Sequence, residues 1–136
     1  MIVPPRLAAQ VRSRARDRCE YCKMAQSLQG GSFHIEHIIP RARGGSDAEG
    51  NLALACPGCN LHKADRIAAA DPDSGKEAPL FHPRTESWDT HFGWDGDRLI
   101  GKTPTGRASV ALLHLNHPRR LRIREAERGF GMLPPS

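Results

Sequence analysis

Apolar positions along this chain come in short runs, each soon interrupted by charge, glycine or proline, and their period changes from segment to segment. From Leu7 to Asp17, behind Pro4-Pro5, Leu7, Val11 and the basic stretch Arg14 to Arg18 recur at helical spacing, so the pattern predicts a basic helix that delivers the chain to Cys19. The Gly30-Gly31 pair breaks what precedes it. Phe33, Ile35 and His37 then alternate with His34, Glu36 and Ile38, the period of a strand, which Pro40 ends. The stretch RARGGSDAEG is an exposed loop by composition, and Leu52 to Ala55 form a second strand, giving a hairpin with a long loop.

Pro57 stands where a helix tolerates it, and CNLHKADRIAAA continues with good helix formers until Asp71-Pro72, so a helix over this stretch is expected. Residues 71–79 have the composition of a linker. Beyond them a hairpin turning at Asp95-Gly96 is expected within Phe92 to Ile100. Thr105 is placed to cap a helix through Leu115, and after Pro118 a basic helix runs to about Gly129. There is no internal repeat.

At 136 residues the chain suits a single α+β domain, with a core over about 18–70 and a C-terminal extension over about 76–136. Seven aromatic residues (four Phe, two Trp, one Tyr) leave little bulk to bury, which makes a metal the first candidate for additional stabilisation. No apolar run is long enough to span a bilayer. The start lacks the apolar segment of a secretory signal, so a cytoplasmic, reducing setting is expected. The formal charge is +5, and the positive residues cluster before Gly44 and again from Arg119 to Arg128. Such clusters attract nucleic acid; two solvated helix faces are the alternative.

All four cysteines fall in two Cys-x-x-Cys pairs, Cys19 with Cys22 and Cys56 with Cys59. Each pair offers two thiolates from one tight turn, and together they describe a closed tetrahedral site for structural Zn²⁺. Unrelated buried thiols or a redox dithiol are the competing readings, and neither accounts for the pairing. The 33 residues between the pairs exceed the spacer of a simple zinc ribbon, so other elements lie between the two halves of the site.

Those intervening residues include Glu36-His37, Pro40, Gly44-Gly45 and Asn51-Leu52, followed by Cys56-x-x-Cys59-Asn60 and Lys63. With the cysteines, over roughly residues 18–66, they resemble the HNH (His-Asn-His) nuclease family in its Cys-flanked form, and residues 76–136 look like the tail of some small bacterial members. The resemblance implies a ββα-metal core that hydrolyses DNA phosphodiester bonds, leaving 5′-phosphate and 3′-hydroxyl ends. It casts His37 as general base and Asn51 as the tie on the loop that orients it. Glu36 and Asn60 become oxygen ligands for Mg²⁺ or Mn²⁺, which stabilises the leaving 3′ oxygen. Residue chemistry agrees, since imidazole titrates near neutral pH and hard oxygen donors suit these ions.

Asn60 stands where the family has its last His, an HNN variant, and Glu36 replaces the commoner Asp. His34, two residues before Glu36, is placed to touch metal or phosphate, or else is an exposed strand residue. Arg41, Arg43, Lys63 and Arg66 are candidates for phosphate contacts, with a solvated surface as the alternative. His62 belongs to another helix face. DNA is the expected partner, with RNA still open. A zinc-stabilised nucleic-acid-binding module without catalysis is the rival reading, but it has no use for Glu36, His37, Asn51 and Asn60 together.

Overall fold

The computed structural model describes residues 3–135. Helix α1 (Pro5–Arg14) begins with proline in its first turn and buries Val11 against the hairpin that follows. Two arginines of the N-terminal basic cluster are used internally. Arg12 donates to the Phe33 carbonyl at 3.0 Å, and Arg14 donates to the Leu52 carbonyl at 2.8 Å while pairing with Glu49 at 3.0 Å.

Strand β1 (His34–His37) pairs antiparallel with β2 (Leu52–Ala55), in register from His34 opposite Ala55 to His37 opposite Leu52. All four residues of β2 are buried, as a short continuous apolar run covered by neighbouring elements should be. Helix α2 (Pro57–Lys63) follows at once, with Cys56 as its N-cap and Pro57 in its first turn.

The helix stops much earlier than its composition suggests. Ala64 takes a φ of 48°, outside the right-handed helical region, and Ala68–Ala70 form a strand, β3, paired with β4 (Glu77–Pro79). The expected linker over 71–79 is therefore a turn and a strand. Its anchor is Asp71, whose carboxylate accepts from the Asp73 amide and Ser74 hydroxyl and receives two bonds of 2.9 Å from Arg107. Packing of Ala69, Ala78 and Leu80 against Ala108 overrides the helix preference of the alanine run.

The tail continues through α3 (Trp88–His91), a hairpin of β5 (Phe92–Asp95) and β6 (Arg98–Gly101) turning at Gly96, α4 (Pro104–Leu112) and α5 (Pro118–Gly129). The cap of α4 is Thr103, accepting from the Gly106 amide at 3.0 Å, and not Thr105, which is buried two residues further on. One buried cluster runs through both halves of the chain, joining Val11, Tyr21, Phe33 and Leu52 to Phe81, Phe92, Leu99 and Leu115. Trp88 and Trp94 pack on its edge, and the Trp88 indole donates to the Tyr21 carbonyl at 2.9 Å.

Candidate active site and metal centre

The two Cys-x-x-Cys turns meet at the base of the β1–β2 hairpin. In the first, the Cys19 amide donates to the Met24 carbonyl at 2.9 Å; in the second, the Cys59 amide donates to Cys56 Sγ at 3.4 Å. The four buried sulfurs lie within 4.8 Å of one another, and Cys22 and Cys56 are 3.7 Å apart. Zn–S bonds of about 2.3 Å in a tetrahedron separate sulfurs by roughly 3.8 Å, so the cluster is compatible with zinc. Burial pushes the Cys19 and Cys59 thiols up, while hydrogen bonds from neighbouring cysteines draw Cys22 and Cys56 down. A divalent cation is what lets all four carry charge together.

Arg120 of α5 reaches the same centre, donating from Nη1 to Cys59 Sγ at 3.3 Å. Burial opposes its charge, yet the thiolates of Cys59, Cys22 and Cys56 hold its pKa above the usual value. A Cβ at Gly58 would meet this guanidinium, which would have to shift to admit it.

His37 closes β1. Its Nε2 lies 2.7 Å from Asp47 Oδ1, and Arg41 Nε donates to the same oxygen at 2.8 Å. These cationic and N–H partners, Arg41 first, hold the Asp47 carboxyl below its usual range. The loop that carries Asp47 is fixed by the buried Asn51. The Asn51 Oδ1 accepts from the Ile39 amide at 2.8 Å, and Nδ2 donates to the carbonyls of Ile39 at 2.9 Å and Ser46 at 2.8 Å. Gly44 turns the loop with φ 84°, and Gly45 passes so close to the Ile39 carbonyl that a Cβ would overlap it.

Glu36 points the other way, into the interior. One carboxylate oxygen receives the Tyr21 hydroxyl and the other sits 3.2 Å from the Lys63 ammonium. Burial pushes the Glu36 carboxyl up against the pull of Lys63, and burial beside Glu36 pushes the Tyr21 phenol up. Lys63, 2% exposed, also donates to the Ile38 carbonyl at 2.8 Å and the His37 carbonyl at 3.3 Å.

Two sequence expectations change here. Lys63 is turned inward as a partner of β1, where the apolar stem is buried and the ammonium satisfied, so it does not present itself to a phosphate. Glu36, with both oxygens engaged and an ammonium beside it, does not fit as a ligand for a second cation. Asn60 is half-buried on α2. Among the described residues, the one group of three or more His, Cys, Asp or Glu side chains that could hold an ion is the cysteine cluster.

His34 is exposed, as are Arg41, Arg43 and Arg66. Arg43 leans back to the Asp65 carbonyl at 2.7 Å, so the loop and the end of α2 share one basic rim. His62 is exposed too, stacked on His114 with ring centroids 4.3 Å apart. Asp47, Tyr21 and Arg120 were not singled out by the sequence pattern. The first stands in the Gly-Gly-Ser-Asp loop beside the candidate base, a signal of place but not of contact.

A family model described as HNH endonuclease matches residues 19–66, the stretch from the first cysteine to just past α2. The chain is also 27% identical over 114 residues to Septu protein PtuB of Bacillus thuringiensis, an alignment taking in 79% of this chain. It spans only 40% of that relative's length. No solved structure matches. No helix among the described residues is long and apolar enough to cross a membrane. Residues 19–66, which hold the two Cys-x-x-Cys turns, the hairpin and α2, therefore carry an HNH endonuclease domain by that family model.

Proposed function

We propose that this chain is an endonuclease that hydrolyses phosphodiester bonds in DNA, with His37 as the general base. The observation that carries this reading is the placement of His37 at a strand end, its ring bonded to Asp47 and its loop fixed by Asn51, with the exposed Arg41 on the same Asp47 oxygen. In the reaction His37 takes a proton from water, the water oxygen bonds to phosphorus, and the bond from phosphorus to the 3′ oxygen breaks with its electron pair on that oxygen, which takes up a proton from solvent. The products are a 5′-phosphate and a 3′-hydroxyl. The exposed arginines hold flanking phosphates without reading sequence.

Cys19, Cys22, Cys56 and Cys59 hold a structural zinc that supplies folding energy and no chemistry. The family resemblance carries a requirement for Mg²⁺ or Mn²⁺; Glu36, with both oxygens engaged by Tyr21 and Lys63, does not fit as its ligand, and no step is derived through that ion. The chain is read as a single domain, its tail packed on the HNH core.

Purified protein incubated with supercoiled plasmid and Mg²⁺ or Mn²⁺, with and without EDTA, tests the proposal. Nicked or linear products are expected, and the arm with EDTA reads whether cleavage needs a divalent ion. Plasmid that stays supercoiled with either ion, in zinc-loaded protein that binds DNA, favours the non-catalytic binding module instead.

A further inference from the structure

The geometry points to Nδ1, and not Nε2, as the basic nitrogen of His37, with Asp47 as the positioning residue that fixes this choice. The inference rests on the nuclease reading above. A neutral imidazole carries one N–H, and its other nitrogen is the base. His37 Nε2 is 2.7 Å from Asp47 Oδ1, a full hydrogen bond that needs one proton between the two atoms.

Asp47 has little reason to supply that proton. Arg41 donates to the same oxygen, and an ionised carboxylate only accepts. The proton therefore sits on Nε2, and the lone pair is left on Nδ1. No hydrogen bond to Nδ1 is present among the described residues, and Nδ1 is not among their buried unpartnered atoms, so it is open to solvent. Water can reach it. Asp47 itself is held from behind, since Asn51 binds the adjacent Ser46 carbonyl and the Ile39 backbone, and Gly45 lets the loop close on Ile39. A carboxylate that fixes the tautomer and orientation of a basic histidine is a known way to prepare it for proton transfer.

Nitrogen-15 NMR of the zinc-loaded protein, with labelled histidine and assignment by comparison with His37→Ala, reads the tautomer directly at a pH where the ring is neutral. The expected result is a protonated Nε2 and an unprotonated Nδ1 for His37. A protonated Nδ1 overturns the inference, whether or not the protein cuts DNA. In the plasmid assay, Asp47→Asn should lower kcat on the order of 100-fold with KM and zinc content unchanged, because the amide can present either a donor or an acceptor to the ring. Asp47→Glu, which keeps the carboxylate, should recover part of the rate. A wild-type kcat in Asp47→Asn also overturns the inference. Wild-type protein that cuts nothing contradicts the nuclease reading itself, a failure distinct from either of these.

Discussion

Asn51 makes three hydrogen bonds to the loop it faces, so its removal orphans an amide and two carbonyls near His37 at once. Asn51→Ala should cost about 2–3 kcal/mol in denaturant unfolding, and it should slow cleavage more than it lowers zinc content. Lys63 is a harsher case. Its ammonium is the partner of the buried Glu36 and of two β1 carbonyls, and Lys63→Ala should destabilise by roughly 3–5 kcal/mol, because a buried carboxylate loses its counter-charge. The same unfolding measurement checks it; a change within error would mean the pair is solvated. His37 and Asn51 were legible in the sequence because a motif with fixed spacing marks them. The Glu36–Lys63 pairing was not. It depends on both side chains being turned inward by the packing of β1 on α2, and a charged residue in a sequence gives no sign of that.

Helix α2 is held at both ends by contacts that composition does not announce. At its start, Cys56 caps the helix and Cys59 lies in its first turns, so metal binding and helix formation are coupled. Protein purified without added metal should contain about one zinc per chain, and Cys56→Ser should lose zinc together with helical signal in circular dichroism; a folded, zinc-free protein would contradict this. At its far end, the stretch Ala68–Ala70 was expected to be helical and is strand β3, because Asp71 and Arg107 tie the β3–β4 turn to α4. Asp71 is buried, and Arg107, by bonding it, holds its carboxyl well below the usual range. The pairing therefore stabilises the fold fully above the unfolded-state pKa of about 4, and that contribution is lost as pH falls through the depressed folded value. Asp71→Asn should lower stability near neutral pH in denaturant unfolding. The gap from wild type should narrow only in strongly acidic solution; a gap that closes already near pH 6 would contradict the assignment. The β1–β2–α2 order was legible from period and proline placement, whereas β3 was not, since three alanines carry no period and their strand state comes from the tertiary tie.

Across the whole molecule the tail is fastened to the HNH core through a shared apolar cluster, the Trp88–Tyr21 bond and the Arg120–Cys59 contact. Release of zinc should therefore be felt in the tail, with tryptophan emission shifting to longer wavelength as Trp88 and Trp94 lose their packing, and unchanged emission would show the halves to be independent. The positive charge is less available than the sequence suggests, because Arg12, Arg14, Lys63, Arg120 and Arg124 serve the protein's own carbonyls, carboxylates and thiols. Arg41, Arg43 and Arg66 are exposed although each also bonds within the protein, to Asp47 and to the Asp65 and Ala68 carbonyls, so affinity for DNA should fall with salt in proportion to a few phosphates. The measurement that bears most directly on the account is plasmid cleavage by His37→Ala beside wild type, both shown to be folded and zinc-loaded. The account predicts a loss of about two to four orders of magnitude in rate with DNA affinity unchanged. Cleavage by His37→Ala at the wild-type rate would contradict it.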